Sequence, residues 1–181
     1  MKLPARETAV IVIDMQTILF DPEPPEAEEV VARINGLASR ARQAGVPVVW
    51  VQHETAGGDL HADTPGWQLH AGLVTMASDL FVRKAMSDAF LRTELHALLA
   101  ERGVRHVAMC GYSSEFCVDS SVRGAAARGY AVTLAADAHT SHDKPHASGL
   151  QIRVHENETL RNISSLPGPI DAVPAAEIAF G

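Results

Sequence analysis

The sequence predicts a three-layer, Rossmann-like α/β domain, in which helices cover both faces of a mostly parallel six-stranded sheet. Two observations support this prediction: short, continuously apolar segments recur along the chain, and amphipathic helical segments separate them. Continuous rather than alternating apolarity is typical of central parallel strands, because helices bury both of their faces. The chain has 181 residues without a linker or an internal repeat. We therefore expect a single domain over residues 1–181.

Six apolar segments are predicted as strands. The first ends at Asp14, and the second ends shortly before His53. Both consist almost entirely of valine, isoleucine and other apolar residues, which favour buried strands. In chain order, the predicted strands are residues 9–13, 46–51, 80–82, 104–110, 130–135 and 170–173.

Four segments between these strands are predicted as helices, since their apolar residues recur at helical spacing. In the first, Val30, Ile34 and Leu37 share one face. Gly45 follows its end, where glycine commonly terminates a helix. The predicted helices span residues 27–44, 93–102, 115–128 and 146–163. Strands and helices that alternate in this way form parallel sheets, which bind ligands at the carboxyl ends of their strands.

The charge and the apolar content of the chain indicate which kinds of partner and which cell compartment to expect. Fifteen Lys and Arg residues against 22 Asp and Glu residues give a net charge of −7, which disfavours nucleic acid and anionic lipid as partners. No apolar run approaches the ~20 residues needed to cross a membrane. The N-terminal segment has no apolar signal core, and two cysteines make no disulfide framework. We therefore expect a cytoplasmic protein that acts on a small molecule.

Three chemically reactive side chains follow three of the predicted strands. Asp14 ends the first strand, Lys84 follows the third, and Cys117 comes shortly after the fourth. The carboxyl ends of parallel strands share one edge of a sheet, so we expect these residues to lie together. The other cysteine, Cys110, lies inside an apolar strand and is interpreted as a core residue.

Together these three groups can carry out acyl transfer. Cys117 is predicted in the first turn of a helix, with Ser113 or Ser114 as the N-cap. The helix dipole and the Lys84 ammonium would both lower the pKa of the thiol. Asp14 could accept the thiol proton and later return it to a leaving amine.

Aromatic residues indicate where a substrate could bind. Nine aromatic residues are present, and five of them fall in segments beyond strand ends, where core packing would not place them. An aromatic-walled cleft with few polar groups is the common form of a small-molecule site. The predicted substrate contacts are Phe20, Trp67, Phe90, Tyr112 and Phe116, with His53 and Glu54 as polar partners.

Six short motifs, taken in order, resemble the isochorismatase-like cysteine hydrolases, a family that includes nicotinamidase, N-carbamoylsarcosine amidohydrolase and streptothricin hydrolase. The resemblance covers nearly the whole chain. The motifs are VIDMQ at 12–16, VQHE at 51–54, GWQLH at 66–70, Lys84 with SDAF at 87–90, GYSSEFCV at 111–118 and DAH at 137–139.

The resemblance implies an amidohydrolase without a cofactor, in which Asp14, Lys84 and Cys117 form the catalytic triad. It also implies a cis peptide bond between Tyr112 and Ser113. The backbone N–H groups after that bond and at Cys117 would form the oxyanion hole. Members of the family usually assemble as homodimers or larger homo-oligomers, so we expect the same here.

Two departures from the family pattern affect the expected chemistry. The nicotinamidase metal motif is not reproduced, because the chain reads Gln52-His53-Glu54-Thr55 at that place. We therefore expect no metal, although His53, His61 and His70 fall in one segment. Members that hydrolyse isochorismate tend to lack the nucleophilic cysteine, so Cys117 favours an amide substrate.

Three alternative functions stay open at this point. Cys117 could serve a redox-sensing or binding protein without hydrolysis, because reactive thiols serve both purposes. The chain could also be an isochorismatase-type hydrolase of a substrate that is not an amide. A nucleotide-binding domain is the third, but it would need a glycine-rich turn after the first strand, and residues 14–18 contain no glycine.

Overall fold

The computed structural model describes the whole chain, residues 1–181. A π-helical turn, Ser114–Val118, precedes the third helix. The strands are β1 Lys2–Leu3, β2 Thr8–Ile13, β3 Val48–His53, β4 Leu80–Lys84, β5 His106–Tyr112, β6 Ala131–Thr140, β7 Ile170–Val173 and β8 Ala179–Phe180. The helices are α1 Ala27–Gln43, α2 Leu95–Ala100, α3 Asp119–Ala127 and α4 Gly149–Arg161.

Six strands form one sheet in the order β4-β3-β2-β5-β6-β7, and all neighbouring strands pair in parallel. The predicted six-stranded sheet is confirmed. From β2 the chain continues to β3 and β4 on one side of the sheet, and then returns to β5 on the other side. Strand order therefore reverses between β2 and β5, which opens a crevice at their carboxyl ends. A separate two-stranded sheet, β1 with β8, was not predicted.

Helices cover both faces of the sheet, as predicted. One apolar core of 21 buried residues lies under α1 and includes Val30, Ile34 and Leu37. The other contains 22 buried residues, among them Leu95 of α2 and Leu160 of α4. The two cores are nearly equal in size, which explains why the central strands are apolar on both sides. None of the helices combines the length and the apolar composition that crossing a bilayer requires.

The start of the helix that follows β5 differs from the prediction. Val118 donates its N–H to the carbonyl of Ser113, so the chain makes a wider π turn before α3 begins at Asp119. The last helix begins at Gly149 rather than at residue 146. A reciprocal pair of hydrogen bonds between Ser148 and Gln151 forms a capping box there.

Strand β6 is longer than predicted because an irregular segment interrupts it. Met109 pairs with Leu134, and two residues later Gly111 pairs with His139. Over this interval β5 advances by two residues and β6 by five, so β6 contains three extra residues. Asp137, one of them, accepts a hydrogen bond from the N–H of Ala175, on the side of the sheet that α1 covers.

Gly111 lies at the closest approach of two strands in the site region. Its φ is +126°, a conformation that L side chains rarely adopt. A β-carbon at this position would collide with the backbone carbonyl of Ile13 in β2. Only glycine therefore lets β5 reach the edge of the sheet beside β2.

We predict that Gly111→Ala destabilises the fold by about 1–3 kcal/mol or more, because the backbone of Ile13 cannot yield as a flexible side chain would. The measurement is the free energy of unfolding from urea denaturation. Gly57→Ala is the control, since a β-carbon there meets nothing within 4 Å. Equal unfolding midpoints for the two variants would contradict the prediction.

Candidate active site

Three elements bring the predicted triad together at the carboxyl edge of the sheet. Asp14 directly follows β2 and has a φ of 48°. Lys84 is the last residue of β4, and Cys117 lies in the π turn after β5. Asp14 and Lys84 are buried, whereas Cys117 is half-buried. The strand reversal between β2 and β5 thus places Asp14 and Cys117 on the two sides of one crevice.

The Lys84 ammonium is the centre of this cluster. Its Nζ lies 2.6 Å from Asp14 Oδ2 and 3.2 Å from Cys117 Sγ. The same nitrogen is 3.1 Å from His53 Nδ1 and 3.1 Å from the carbonyl oxygen of Met86. The side chain is fully buried, so these four atoms replace the water that a lysine normally holds.

Asp14 has one carboxylate oxygen free to accept a proton. Oδ2 faces Lys84, while Oδ1 is buried without a hydrogen-bond partner. A carboxylate oxygen of Asp14 lies within 4.8 Å of Cys117 Sγ. Burial raises the pKa of Asp14, and the Lys84 ammonium opposes that increase. A raised pKa makes this carboxylate a stronger base than an aspartate in water.

The pKa of the Cys117 thiol is raised, contrary to the lowered pKa expected from its helix position and from Lys84. Burial raises the pKa of the Cys117 thiol to about 12, the Asp14 carboxylate adds to the increase, and Lys84 opposes it. The sequence identifies the attracting cation but gives no measure of burial, and burial outweighs it here. The thiol proton must therefore be removed by a neighbouring base when the sulfur attacks.

The three loop histidines do not assemble a metal site. Asp14, His53 and Cys117 are the one group of three potential ligands whose atoms lie within 4.8 Å of one another. Lys84 contacts all three of them. His61 is exposed, and the ring of His70 lies against Phe20 instead. The centroid separation is 5.0 Å. The cation at the centre of these donors is thus an ammonium of the chain itself.

Two of the predicted aromatic contacts lie together near the crevice. The rings of Phe20 and Tyr112 are 5.8 Å apart. The Tyr112 hydroxyl lies 2.8 Å from Nδ1 of His142, whose Nε2 is 2.7 Å from the carbonyl oxygen of Pro22. These contacts connect the segment after β2 to the residue that ends β5.

Trp67 and Glu54 form part of a polar wall beside β3 and β4. The Arg83 guanidinium lies over the Trp67 ring at 4.8 Å, and an Arg83 nitrogen is 3.6 Å from Glu54 Oε2. Gln16 and Gln52 both donate to the carbonyl oxygen of Trp67. The Trp67 indole N–H is buried without a partner.

Two predicted aromatic contacts lie elsewhere. Phe90 is in the core, against Tyr130 at 5.7 Å and under the Arg128 guanidinium, so it lies apart from Phe20 and Tyr112. Phe90 fills space beside α3 because the chain turns inward before α2. Phe116 is 56% exposed and borders a cavity of about 640 Å³ between the π turn and α4. Lys144 lies 5.4 Å from the Phe116 ring centroid.

The loop before Cys117 contains a cis peptide bond between Tyr112 and Ser113, as the resemblance implies. Ser113 occupies the N-cap position, but its side chain makes no capping hydrogen bond. The Ser114 side chain points to another partner, so neither serine caps the turn as predicted. The carbonyl of Ser113 instead accepts the N–H groups of Phe116 and Val118.

A buried chain of three polar side chains supports this loop, and sequence reasoning did not find it. Ser114 Oγ lies 2.8 Å from His139 Nδ1, and His139 Nε2 lies 3.0 Å from Asn157 Oδ1. Asn157 donates through Nδ2 to the carbonyl of Ala136, so its oxygen accepts from His139. Ser114 must then donate to Nδ1. The only sign of this chain in the sequence was His139 itself, in the DAH motif at 137–139.

We compared the chain with known protein families and structures. Residues 8–157, most of the chain, match the family model of the isochorismatase domain. The chain belongs to the isochorismatase family. The resemblance drawn from its motifs is confirmed.

Two streptothricin hydrolases from Streptomyces noursei are 38% and 36% identical to this isochorismatase-family chain over alignments of 177 residues, each of which covers 95% of the chain. The chain spans 64% and 70% of the lengths of those two proteins. A cysteine hydrolase from Pseudomonas syringae pv. phaseolicola 1448A has the same fold. The TM-score is 0.87 at 24% identity, and the match covers 97% of this chain and 92% of the other.

The reactivity of Cys117 should change in opposite directions when each of its two charged neighbours is removed. Asp14→Asn should speed alkylation of Cys117 at pH 8 by about tenfold or more, because it removes a negative charge that disfavours the thiolate. Lys84→Met should slow it by a similar factor, because the thiolate loses its cation. Asparagine also tolerates the positive φ of residue 14.

The measurement is the second-order rate constant with iodoacetamide in a Cys110→Ala background. Cys110 is fully buried, so it should contribute little to labelling in any case. Changes in the same direction for Asp14→Asn and Lys84→Met would show that the charges do not act on Cys117 as described.

His139 should make the protein sensitive to acid. Burial lowers the pKa of His139 to about 4, whereas an unfolded histidine titrates near 6.5. Between these values the unfolded chain binds a proton that the folded chain does not. The free energy of unfolding should therefore fall as pH falls through this window, by about 3 kcal/mol in total.

This prediction is measured by urea denaturation at pH 7 and pH 4.5. His139→Gln should remove most of the pH dependence in that window, apart from any loss of stability at both pH values. His61→Gln should retain it, because His61 is exposed. An unchanged slope in His139→Gln would assign the acid sensitivity to other groups.

Proposed function

We propose that this isochorismatase-family hydrolase is a cysteine-dependent amidohydrolase. Its substrate would be a small molecule with an amide, lactam or ureido C–N bond, cleaved through a thioester intermediate. One observation carries the proposal: a carboxylate oxygen of Asp14 lies within 4.8 Å of Cys117 Sγ. Lys84 contacts Oδ2 of this carboxylate, and Oδ1 is buried without a hydrogen-bond partner. A proton acceptor, a nucleophile and a cation are thus in contact.

In the first half-reaction, Asp14 accepts the thiol proton while Sγ of Cys117 attacks the substrate carbonyl carbon. The negative charge then moves to the carbonyl oxygen. We assign its stabilisation to the amide N–H that follows the Tyr112–Ser113 bond and to the N–H of Cys117. The first amide groups of a helical turn lack partners within the turn, so they suit this purpose.

The tetrahedral intermediate then breaks its C–N bond. Asp14 returns the proton to the leaving amine, which departs and leaves a thioester on Cys117. In the second half-reaction, Asp14 takes a proton from water as the water oxygen attacks the thioester carbonyl. The acid product leaves, and the sulfur recovers its proton. One water molecule is consumed for each C–N bond broken.

The substrate would lie over the crevice between β2 and β5. We assign the aromatic wall to Phe20 and Tyr112, whose rings are 5.8 Å apart, and the polar side to His53, which contacts Lys84. Trp67 adds an indole N–H with no partner in the protein. Similarity to the two streptothricin hydrolases supports streptothricin as the first substrate to test.

The test is a panel of small amides, ureides and lactams, together with streptothricin, assayed for release of ammonia or amine. Cys117→Ala should lower kcat/KM by about 10³-fold or more, because no thioester can form. Cys110→Ala is the control and should keep near-normal turnover, since that side chain is in the core.

Two results would contradict the proposal. Turnover that survives Cys117→Ala would remove the cysteine from the reaction. Reversible oxidation of Cys117 by peroxide without turnover of any panel member would favour a redox-sensing protein instead.

A further inference from the structure

The Lys84 nitrogen has more acceptors than hydrogens. Four acceptor atoms lie within 3.2 Å of Nζ, on Asp14, His53, Met86 and Cys117. An ammonium carries three N–H groups. The side chain is fully buried, so no hydrogen can turn to solvent instead. At any moment, at least one of the four acceptors shares or lacks a hydrogen bond.

The imidazole of His53 is a neutral acceptor in this arrangement. Nδ1 faces the ammonium, so it cannot carry a hydrogen itself, and Nε2 carries the hydrogen. Burial lowers the pKa of His53 and Lys84 lowers it further, while Asp14 and Glu54 act in the opposite direction. Cys117 is the other titratable group that faces the ring, and it is neutral at rest.

The acceptor strength of Cys117 changes most during the reaction. Asp14 becomes a weaker acceptor while it holds the thiol proton, and the His53 nitrogen and the Met86 carbonyl stay unchanged. A thiol sulfur is a weak acceptor, and a thioester sulfur is weak as well. A thiolate is a strong, charged acceptor. The ammonium hydrogen that faces Sγ thus has a good partner only during the steps in which sulfur is negative.

We propose that His53 is a positioning residue whose Nδ1 holds this Lys84 hydrogen while Cys117 is a thiol or a thioester, and releases it to Sγ when the thiolate forms. This inference rests on the proposed hydrolysis for the thioester state, but not for the thiol state. Asp14 and the Met86 carbonyl keep the other two hydrogens throughout. The exchange avoids an unpaired buried N–H in every state of the sulfur.

The exchange has a measurable consequence. At rest, His53 competes with the sulfur for Lys84 and so disfavours the thiolate. Without an acceptor at residue 53, the ammonium would turn to the sulfur and favour the thiolate. After Cys117 is acylated, a variant without an acceptor at residue 53 would leave one Lys84 N–H without a hydrogen-bond partner. This would destabilise the thioester and slow turnover.

Three variants of His53 distinguish the proposed positioning role from a direct substrate contact and from a purely structural role. Asparagine places its amide oxygen near the position of Nδ1, and leucine has nearly the same shape as asparagine without an acceptor. Glutamine reaches the position of Nε2 instead. The readouts are the iodoacetamide rate constant of Cys117 over pH 7–9, in a Cys110→Ala background, and the kcat and KM of amide turnover.

His53→Leu and His53→Gln should raise the alkylation rate by about tenfold across this pH range, as expected for a thiol pKa lowered by about one unit. They should also lower kcat by about tenfold with little change in KM. His53→Asn should keep the alkylation rate within about twofold of that of the unchanged protein, and its kcat should exceed that of His53→Leu, because its amide oxygen can accept the Lys84 hydrogen. A structural role alone would not separate asparagine from leucine by alkylation rate.

Equal alkylation rates for His53→Asn and His53→Leu would overturn the inference. So would a raised KM in His53→Asn with normal kinetics in His53→Gln, which would make Nε2 a direct substrate contact. If the proposed hydrolysis were wrong, the difference in alkylation rate would persist while turnover was absent. The two proposals can therefore fail separately.

Discussion

A lysine ammonium removed from water is the constraint on which the site depends. The side chain of Lys84 is fully buried, and a buried charge is costly unless acceptors surround it. Those acceptors come from the ends of β2 and β3, from the segment after β4 and from the turn after β5. Contacts with the Lys84 nitrogen thus connect four segments at one edge of the sheet. The reversal of strand order between β2 and β5 provides the space for this side chain.

The same constraint determines the protonation states of the site. Asp14 balances the charge of Lys84, so the pair is neutral and Cys117 can remain a thiol beside it. A thiolate at rest would add a second negative charge in a buried crevice. The arrangement instead keeps the proton on sulfur until an electrophile arrives, with the unpartnered oxygen of Asp14 ready to take it. Such a site protects the thiol from unwanted oxidation, because the thiolate is the form that oxidants attack.

Local sequence pattern was sufficient to predict the sheet and the proximity of Asp14, Lys84 and Cys117. Continuous apolarity identifies strands buried on both faces, and a parallel sheet brings the residues after its strands to one edge. Asp14, Lys84 and Cys117 could be located in this way without any tertiary contact. Strand ends were less certain, because β3 and β5 continue through polar residues such as Gln52 and Tyr112 that periodicity alone does not assign.

The features that the sequence did not predict depend on tertiary packing. The π turn before α3 results from hydrogen bonds to the carbonyl of Ser113. Burial, which local pattern measures poorly, reversed the expected direction of the Cys117 pKa. Phe90 lies after a strand like the aromatic residues of the crevice, yet the chain turns it into the core. His139 and Asn157 are 18 residues apart, and only the packing of α4 on β6 brings them together.

The three extra residues in β6 restrict how this region can change. Leu134 and His139 are five positions apart, and in a regular strand residues at that spacing face opposite sides of the sheet. Here they pair with Met109 and Gly111, which share one side of β5, so the irregular segment reverses the alternation. The contact of His139 with Ser114 therefore depends on the irregular conformation of residues 135–138. A chimaera with a relative would keep the loop before Cys117 intact only if residues 134–140 were transferred as one piece.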